Sequence, residues 1–373
     1  MKCKSIFITC CLLAITFSLH AQSKSRFWSK FNLDSLSNRN LRFLPLPSLT
    51  ISPETGVKGG VFIDYFYRTK AGNKGVTRPS LSWVQALYST RGQLTLEAYT
   101  STYTNNEQFY IFFKGGFISN YERFWGYSNP TAANKNFTEL TYDRLYANAR
   151  ITKNVGDKIF TGINLYYSKH NNIDTLTVNK TLLVPTPDFN NSEVLGAGIS
   201  VIQDKRNNQF SPSEGHYYDV SLSWMNNTAV SNGNYFQWNV DLRKYYHLPQ
   251  GVWATQLFVQ ATDQDAPMLE KARIGGNALL RGYFQGRFRD NNLWALQSEY
   301  RYNLSRFFRL AFFAGVGGTS ATTGKMFSND LLLSGGTGLR LLINKDKQIY
   351  LRADVAYTVH GNFGYYFRIG DAF

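Results

Sequence analysis

Residues 275–290 read GGNALLRGYFQGRFRD, and the fold of the chain turns on why Arg281 sits there, between apolar and glycine residues inside a long loop. Loops normally run over protein surfaces. Leu279, Leu280, Tyr283 and Phe284 would expose apolar area to water on either side of that arginine. The segment is therefore expected to fold inward, and the flanking sequence has to supply something to fold into.

What flanks it is strand. From residue 43 onward, apolar and polar side chains alternate with period two. Val57, Val61, Ile63, Tyr65 and Tyr67 alternate with Lys58, Asp64 and Arg68; Phe236, Trp238, Val240 and Leu242 with Gln237, Asn239, Asp241 and Arg243; Trp294, Leu296, Tyr300 and Tyr302 with Gln297, Glu299, Arg301 and Asn303. The pattern predicts strands at 43–52, 56–68, 79–89, 91–102, 107–118, 138–153, 157–169, 193–204, 215–227, 234–246, 251–262, 291–304, 306–317, 331–344, 347–359 and 363–373. Sixteen is an even number, as a closed bacterial barrel requires. A water-soluble sandwich would also alternate, but need not separate long from short connections. Here KNVGD, HLPQG, NLSR and INKDK are short, while the connections after the fifth, seventh, eleventh and thirteenth strands are long. The expected fold is all-β: a 16-stranded antiparallel transmembrane β-barrel with an infolded sixth outer loop.

Composition agrees. The start, MKCKSIFITCCLLAITFSLHAQ, has Lys2 and Lys4, an apolar run and Ala21 at a cleavage point, which reads as a secretory signal peptide over 1–21. It holds all three cysteines, Cys3, Cys10 and Cys11, so a processed chain has no disulfide or thiolate metal site. Without those residues the formal charge is +13, two below the +15 of the whole chain. Nucleic acid is set aside as a partner because no recognition motif accompanies the charge. Aromatics make up 16% of a chain whose mean hydropathy is negative, which is an outer-membrane barrel profile. Residues 22–42, with Phe27, Trp28, Phe31, Leu33 and Leu36, fit one short amphipathic helix, read as an ordered periplasmic tail or as a docking helix. The barrel is expected over 43–373, ending on the aromatic Phe373.

These residues resemble the bacterial surface antigen superfamily, whose barrels insert or translocate proteins at outer membranes. Leu280-Arg281-Gly282-Tyr283, after Gly275 and Gly276, is similar to the family's sixth-loop motif. DKRNNQFSPSEGHYYDVSL, with Asp204, Arg206, Pro212 and Gly215, and Gly336-Thr337-Gly338-Leu339-Arg340 also resemble family patterns. Two departures stand out. Relatives usually carry periplasmic polypeptide-transport-associated repeats, for which 22–42 has no room, and Gly315 stands where the family often has an aspartate. The resemblance makes Glu299 the better partner for Arg281.

Parity tests that pairing independently: Trp294, Leu296 and Tyr300 face lipid, so Glu299 faces the lumen. The same count turns Arg340, Arg352, Asp354 and Arg368 inward. Arginines outnumber acids in this sector, and each acid is expected to serve more than one guanidinium. Arg281 is expected to tie the loop in place, with direct substrate contact the lesser reading, and Arg281→Ala is expected to harm the barrel more than Arg289→Ala.

Pro45 and Pro47, in FLPLPSLTIS, remove two amide donors from one side of the first strand. Either they face the last strand, making with Gly364 and Phe373 the lateral seam that the resemblance implies, or they simply precede the strand proper. Enzymatic signals are thin. His170, His216, His247 and His360 lack metal-ligand spacing, and Asp263, Asp265 and His360 form only a conceivable rim site. No enzyme activity, cofactor or small-molecule substrate is expected. The function implied is a bacterial outer-membrane barrel moving or inserting polypeptide or lipid through a gated seam, in contact with membrane lipid and lipopolysaccharide and with a periplasmic partner or client protein. The alternative is a pore or structural surface protein with a basic, loop-plugged lumen.

Overall fold

A computed structural model of the protein describes residues 43–69, 77–104, 106–127, 137–176, 190–231, 233–263, 266–327 and 331–373. The expected signal peptide, the 22–42 segment and Asp265 lie outside them. The strands are β1 (Phe43–Ser52), β2 (Gly56–Tyr67), β3 (Ser80–Ser89), β4 (Leu94–Thr104), β5 (Phe109–Phe124), β6 (Thr138–Gly156), β7 (Ile159–Leu176), β8 (Ser192–Asp204) and β9 (Gly215–Asn227). They continue with β10 (Asn234–Leu248), β11 (Gly251–Thr262), β12 (Ala272–Ile274), β13 (Phe288–Asp290), β14 (Asn292–Asn303), β15 (Phe308–Ser320), β16 (Leu332–Asn344), β17 (Ile349–Thr358) and β18 (Phe363–Ile369). All but β12 and β13 form one closed antiparallel barrel in which β11 pairs with β14 and β18 with β1.

The expected sixteen-stranded barrel is borne out. Its outer face carries apolar side chains strand after strand, among them Val84, Leu165, Ile199, Trp253, Leu296 and Phe312. Exposed apolar area on this scale is unfavourable in water and suited to lipid. The opposite face points Asp64, Glu299, Arg301, Arg340 and Asp354 inward, all buried.

Three expectations need correction. β5 and β7 run on to Phe124 and Leu176, past the ends at 118 and 169 read from the sequence. Their final residues, SNYERF and HNNIDTL, do not alternate apolar with polar, so the period-two signal vanishes although pairing continues, as at Phe124↔Thr138. The three-residue strands β12 and β13 pair inside the motif loop, with Arg273 opposite Arg289; three residues carry no readable period. Long and short connections do not separate cleanly either. Those after β1 and β3 are short, and 205–214, at the opposite end of the barrel, is long because it turns into the lumen, where Arg301 donates to the Pro212 carbonyl.

The last strand also differs from expectation. β18 ends at Ile369, and residues 370–373 leave the wall. Phe373 packs against Tyr245 of β10 and Ala254 of β11, and its carbonyl accepts from Arg301 at 2.9 Å.

The two faces should respond oppositely to charge. Leu165→Arg, on the lipid face, should cost about 2–4 kcal/mol near the bilayer midplane, whereas Asn164→Arg, one position along and facing inward, should cost far less; urea unfolding in lipid vesicles measures both.

Candidate functional site

Leu280, Arg281 and Tyr283 are all buried at the lumenal ends of β14–β18 side chains. Arg281 Nη2 lies 2.6 Å from Glu299 Oε2 on β14, and Nη1 lies 2.6 Å from Asp354 Oδ2 on β17. Its guanidinium stacks 3.4 Å over the Phe313 ring of β15. Leu280 adopts a left-handed backbone (φ 47°) and its amide donates to Gln297 Oε1 at 3.3 Å. The Gly282 amide donates to the Tyr366 hydroxyl at 3.1 Å. The Tyr283 hydroxyl donates to the Leu333 carbonyl at 3.1 Å and lies 3.0 Å from His360 Nδ1. Gly275 and Gly276, both at positive φ, turn the chain so that the Gly276 amide reaches the Tyr283 carbonyl at 2.9 Å.

Each acid does serve several cations. Glu299 also pairs with Arg301 at 2.9 Å and Arg340 at 3.3 Å; Asp354 also contacts Arg340 and lies 3.6 Å from Arg352 Nε. A third carboxylate, absent from the sequence reading, is Asp371. It sits 3.0 Å from Arg301 and 3.6 Å from Arg340, and accepts from the Ser211 hydroxyl at 2.6 Å. Asp371 could not be found by strand parity, because it follows the point where the chain leaves the wall. Phe313 could have been, since parity turns it inward two positions before Gly315.

Gly315, where an aspartate was noted as usual, has a steric reason. A Cβ built there would lie 2.6 Å from Leu280 Cδ2, and one at Gly317 would lie 2.9 Å from Leu280 Cδ1. The space that a carboxylate would occupy holds the motif leucine instead.

The structure moves several expected residues. Arg368 joins neither Glu299 nor Asp354 among the described residues and is exposed; it lies across from Arg352, on the seam side of that arginine. Gly364 faces the loop rather than the seam: a Cβ there would come 2.9 Å from Gly282 Cα. Phe373 is not at the seam either, because the tail carries it to β10 and β11. Arg289 is no inert comparator. It is fully buried, pairs with Glu122 of β5 at 2.5 Å and donates to the Met268 carbonyl at 3.2 Å. Arg273 joins Glu122 at 3.3 Å, and the Tyr142 hydroxyl donates to the same carboxylate at 2.9 Å. Nearby, Glu270 meets Arg144 and His170, each at 3.6 Å. Burial would raise the Glu270 carboxyl, but Arg144, His170 and the Tyr166 hydroxyl hold it below its ordinary value. The loop is therefore anchored on two walls, at β14–β17 by Arg281 and at β5–β7 by Arg289 and Glu270.

Pro45 and Pro47 lie within β1 rather than ahead of it. The Val57 amide and carbonyl both bond Thr90, toward β3, so by alternation Val57, Gly59, Val61 and Ile63 turn away from β1. Their β1 partners Ile51, Leu49, Pro47 and Pro45 then direct their backbone groups to the β18 side. At the rim, His360 is engaged by Tyr283, and Asp263 Oδ1 accepts from the Phe236 amide at 2.7 Å.

Arg281→Ala and Arg289→Ala should each destabilise the barrel by about 3–5 kcal/mol, the cost of stranding a buried carboxylate, while Lys153→Ala, at an exposed site, should not. Urea midpoints and heat resistance of the folded band on gels check this, and an Arg289→Ala variant as stable as Lys153→Ala would remove the β5 anchor. Gly315→Asp should cost about 1–3 kcal/mol through overpacking, and Leu280→Ala in the same chain should recover part of that loss.

Residues 62–373 match the family model described as the Omp85 superfamily domain. No curated protein matches the chain. Among solved structures, BamA from Haemophilus ducreyi lacking POTRA domains 1-3 superposes with a TM-score of 0.56 at 12% identity, over 88% of this chain and 70% of that one. CdiB from Acinetobacter baumannii gives 0.56 at 14% identity, over 88% and 60%, and CdiB from Escherichia coli 0.56 at 10%, over 91% and 69%. At such identities these structures share the fold. The family match, spanning all but the start of the barrel and including the Leu280-Arg281-Gly282-Tyr283 loop, shows that this chain belongs to the Omp85 superfamily.

Proposed function

We propose that the protein is a bacterial outer-membrane barrel that moves or inserts polypeptide or lipid through the β1–β18 seam, acting with separate periplasmic partners and without enzymatic chemistry of its own. The observation that carries this reading is the contrast between the two sides of β1. It pairs with β2 along its whole length, from Phe43↔Tyr65 to Ser52↔Gly56, and with β18 at Ile51↔Phe367 alone among the described residues. Residues 370–373, which would have continued the ladder, turn into the lumen instead.

An unpaired backbone edge at membrane depth costs several kcal/mol per group, so this edge favours any extended segment that pairs with it. Pro45 and Pro47 remove two donors from the same edge. Opening the remaining join breaks few hydrogen bonds, each worth about 0.5–1.5 kcal/mol net. The buried ion pairs of the motif loop hold β14–β17, which begin one strand beyond β18, and β5, so the sparse β1–β18 join adjoins a braced sector.

Cysteines at Ile51 and Phe367, which are Cα partners, test the seam. Oxidised protein in liposomes should lose client insertion or lipid scrambling, and reductant should restore it. Equal activity in both states would count against a moving seam, and anion-selective single-channel conductance unaffected by the crosslink would favour the pore reading.

A further inference from the structure

On the lumenal side of the same seam, three cations lie close together with too few acids. Arg352 of β17 is the Cα partner of Arg340 on one side and of Arg368 on the other. Like charges directly opposite in a sheet repel. Arg340 is compensated by Glu299 and Asp354. Arg352 is not compensated to the same degree: it is 2% exposed, its Nη2 donates to the Asn277 carbonyl at 3.1 Å, its Nε is 3.6 Å from an Asp354 oxygen that already serves Arg281 at 2.6 Å, and its Nη1 has no partner. Arg368 has no ion pair among the described residues; the carboxylate whose charge reaches it and Lys58 is Glu97, which is already paired with Lys114 at 3.4 Å and takes hydrogen bonds from Gln85 and Tyr146. Beyond β1, Lys58 of β2 lies opposite Thr50, the residue next to the Ile51↔Phe367 join. Its ammonium donates to the Thr95 hydroxyl at 3.1 Å.

We propose that Arg352 and Arg368, with Lys58 across the seam, bind a phosphate-class oxyanion on the lumen wall. Water can satisfy a free N–H but leaves the repulsion in place, whereas an oxyanion answers both. Paired guanidinium forks match the oxygens of a phosphate better than a spherical anion. The group is either free phosphate or the phosphate of an anionic lipid headgroup reaching in at the seam. The site is set by the wall itself and does not require the seam to open.

The test is thermal unfolding of the purified full chain in neutral detergent, titrated with inorganic phosphate at ionic strength held constant by chloride, and separately with dihexanoyl phosphatidylglycerol against dihexanoyl phosphatidylcholine. A saturable upward shift in Tm is expected, since a ligand that binds only the folded state stabilises it. Arg368→Gln, at an exposed position without an ion pair, should weaken the apparent affinity about tenfold or more, as expected for loss of one charge-assisted contact. Arg368→Lys should fall between the two, and Lys153→Gln should match wild type. A shift with inorganic phosphate identifies the free anion as sufficient; a shift with phosphatidylglycerol alone identifies the headgroup. No shift with either, the same shift with chloride, or an undiminished response in Arg368→Gln would overturn the proposal.

Discussion

Glu299 has no exposed surface and holds three guanidiniums, those of Arg281, Arg301 and Arg340. A carboxylate so placed tolerates dehydration only while its partners stay in position, and those partners come from three parts of the chain. Arg281 belongs to the motif loop, Arg301 to the same strand, and Arg340 to β16 two strands away. Through Arg301 the network reaches Asp371 and the Phe373 carbonyl, and through Asp371 the Ser211 hydroxyl of the 205–214 connection. One acid thus ties an outer loop, a section of wall, an inner turn and the chain's final residues. The packing around it follows the same demand, because Gly315, Gly317, Ala356 and Gly364 leave the room that Leu280 and Gly282 occupy against the wall.

The second anchor makes the arrangement rigid rather than merely attached. A loop fixed at one wall can swing; one fixed at Glu299 and Asp354 and again at Glu122 cannot. The barrel is then uneven around its circumference. Ion pairs brace β14–β17 and β5–β7, whereas the β1–β18 join has backbone pairing at one position among the described residues, and there the loop adds only hydrogen bonds, from the Gly282 amide to Tyr366 of β18 and from the Gln285 amide to Glu54 in the β1–β2 turn.

Much of this was legible because the physics is periodic. The alternation at 56–68, 234–246 and 291–304 announces strands with one apolar face, and parity alone turns Glu299, Arg340, Arg352 and Asp354 inward. The Arg281–Glu299 contact could be anticipated because both partners had independent signals, an arginine in an apolar loop and an acid on the lumenal parity. What parity could not reach lies where period two stops. Glu122 is beyond the last alternating residue of β5, Asp371 is beyond the end of β18, and Arg289 sits in a three-residue strand. Arg368 shows the opposite limit, since parity placed it correctly in the lumen but says nothing about which neighbour a long side chain meets. Gly364 and Phe373 were misread for a related reason: membership of the last strand does not reveal whether a residue faces its neighbour, the loop, or the far wall.

The two-wall anchoring also fixes an order of events during folding. The Arg289–Glu122 bond joins positions 167 residues apart, and the Arg281–Asp354 bond positions 73 apart. Such contacts form only after the intervening strands have paired, because the entropy of closing so long a loop is recovered only once the neighbouring ladders hold the ends near each other. The plug therefore locks only after the walls that carry its partners have formed. A carboxylate without its guanidinium keeps its water, so Glu299, Asp354 and Glu122 give up hydration only as the loop docks.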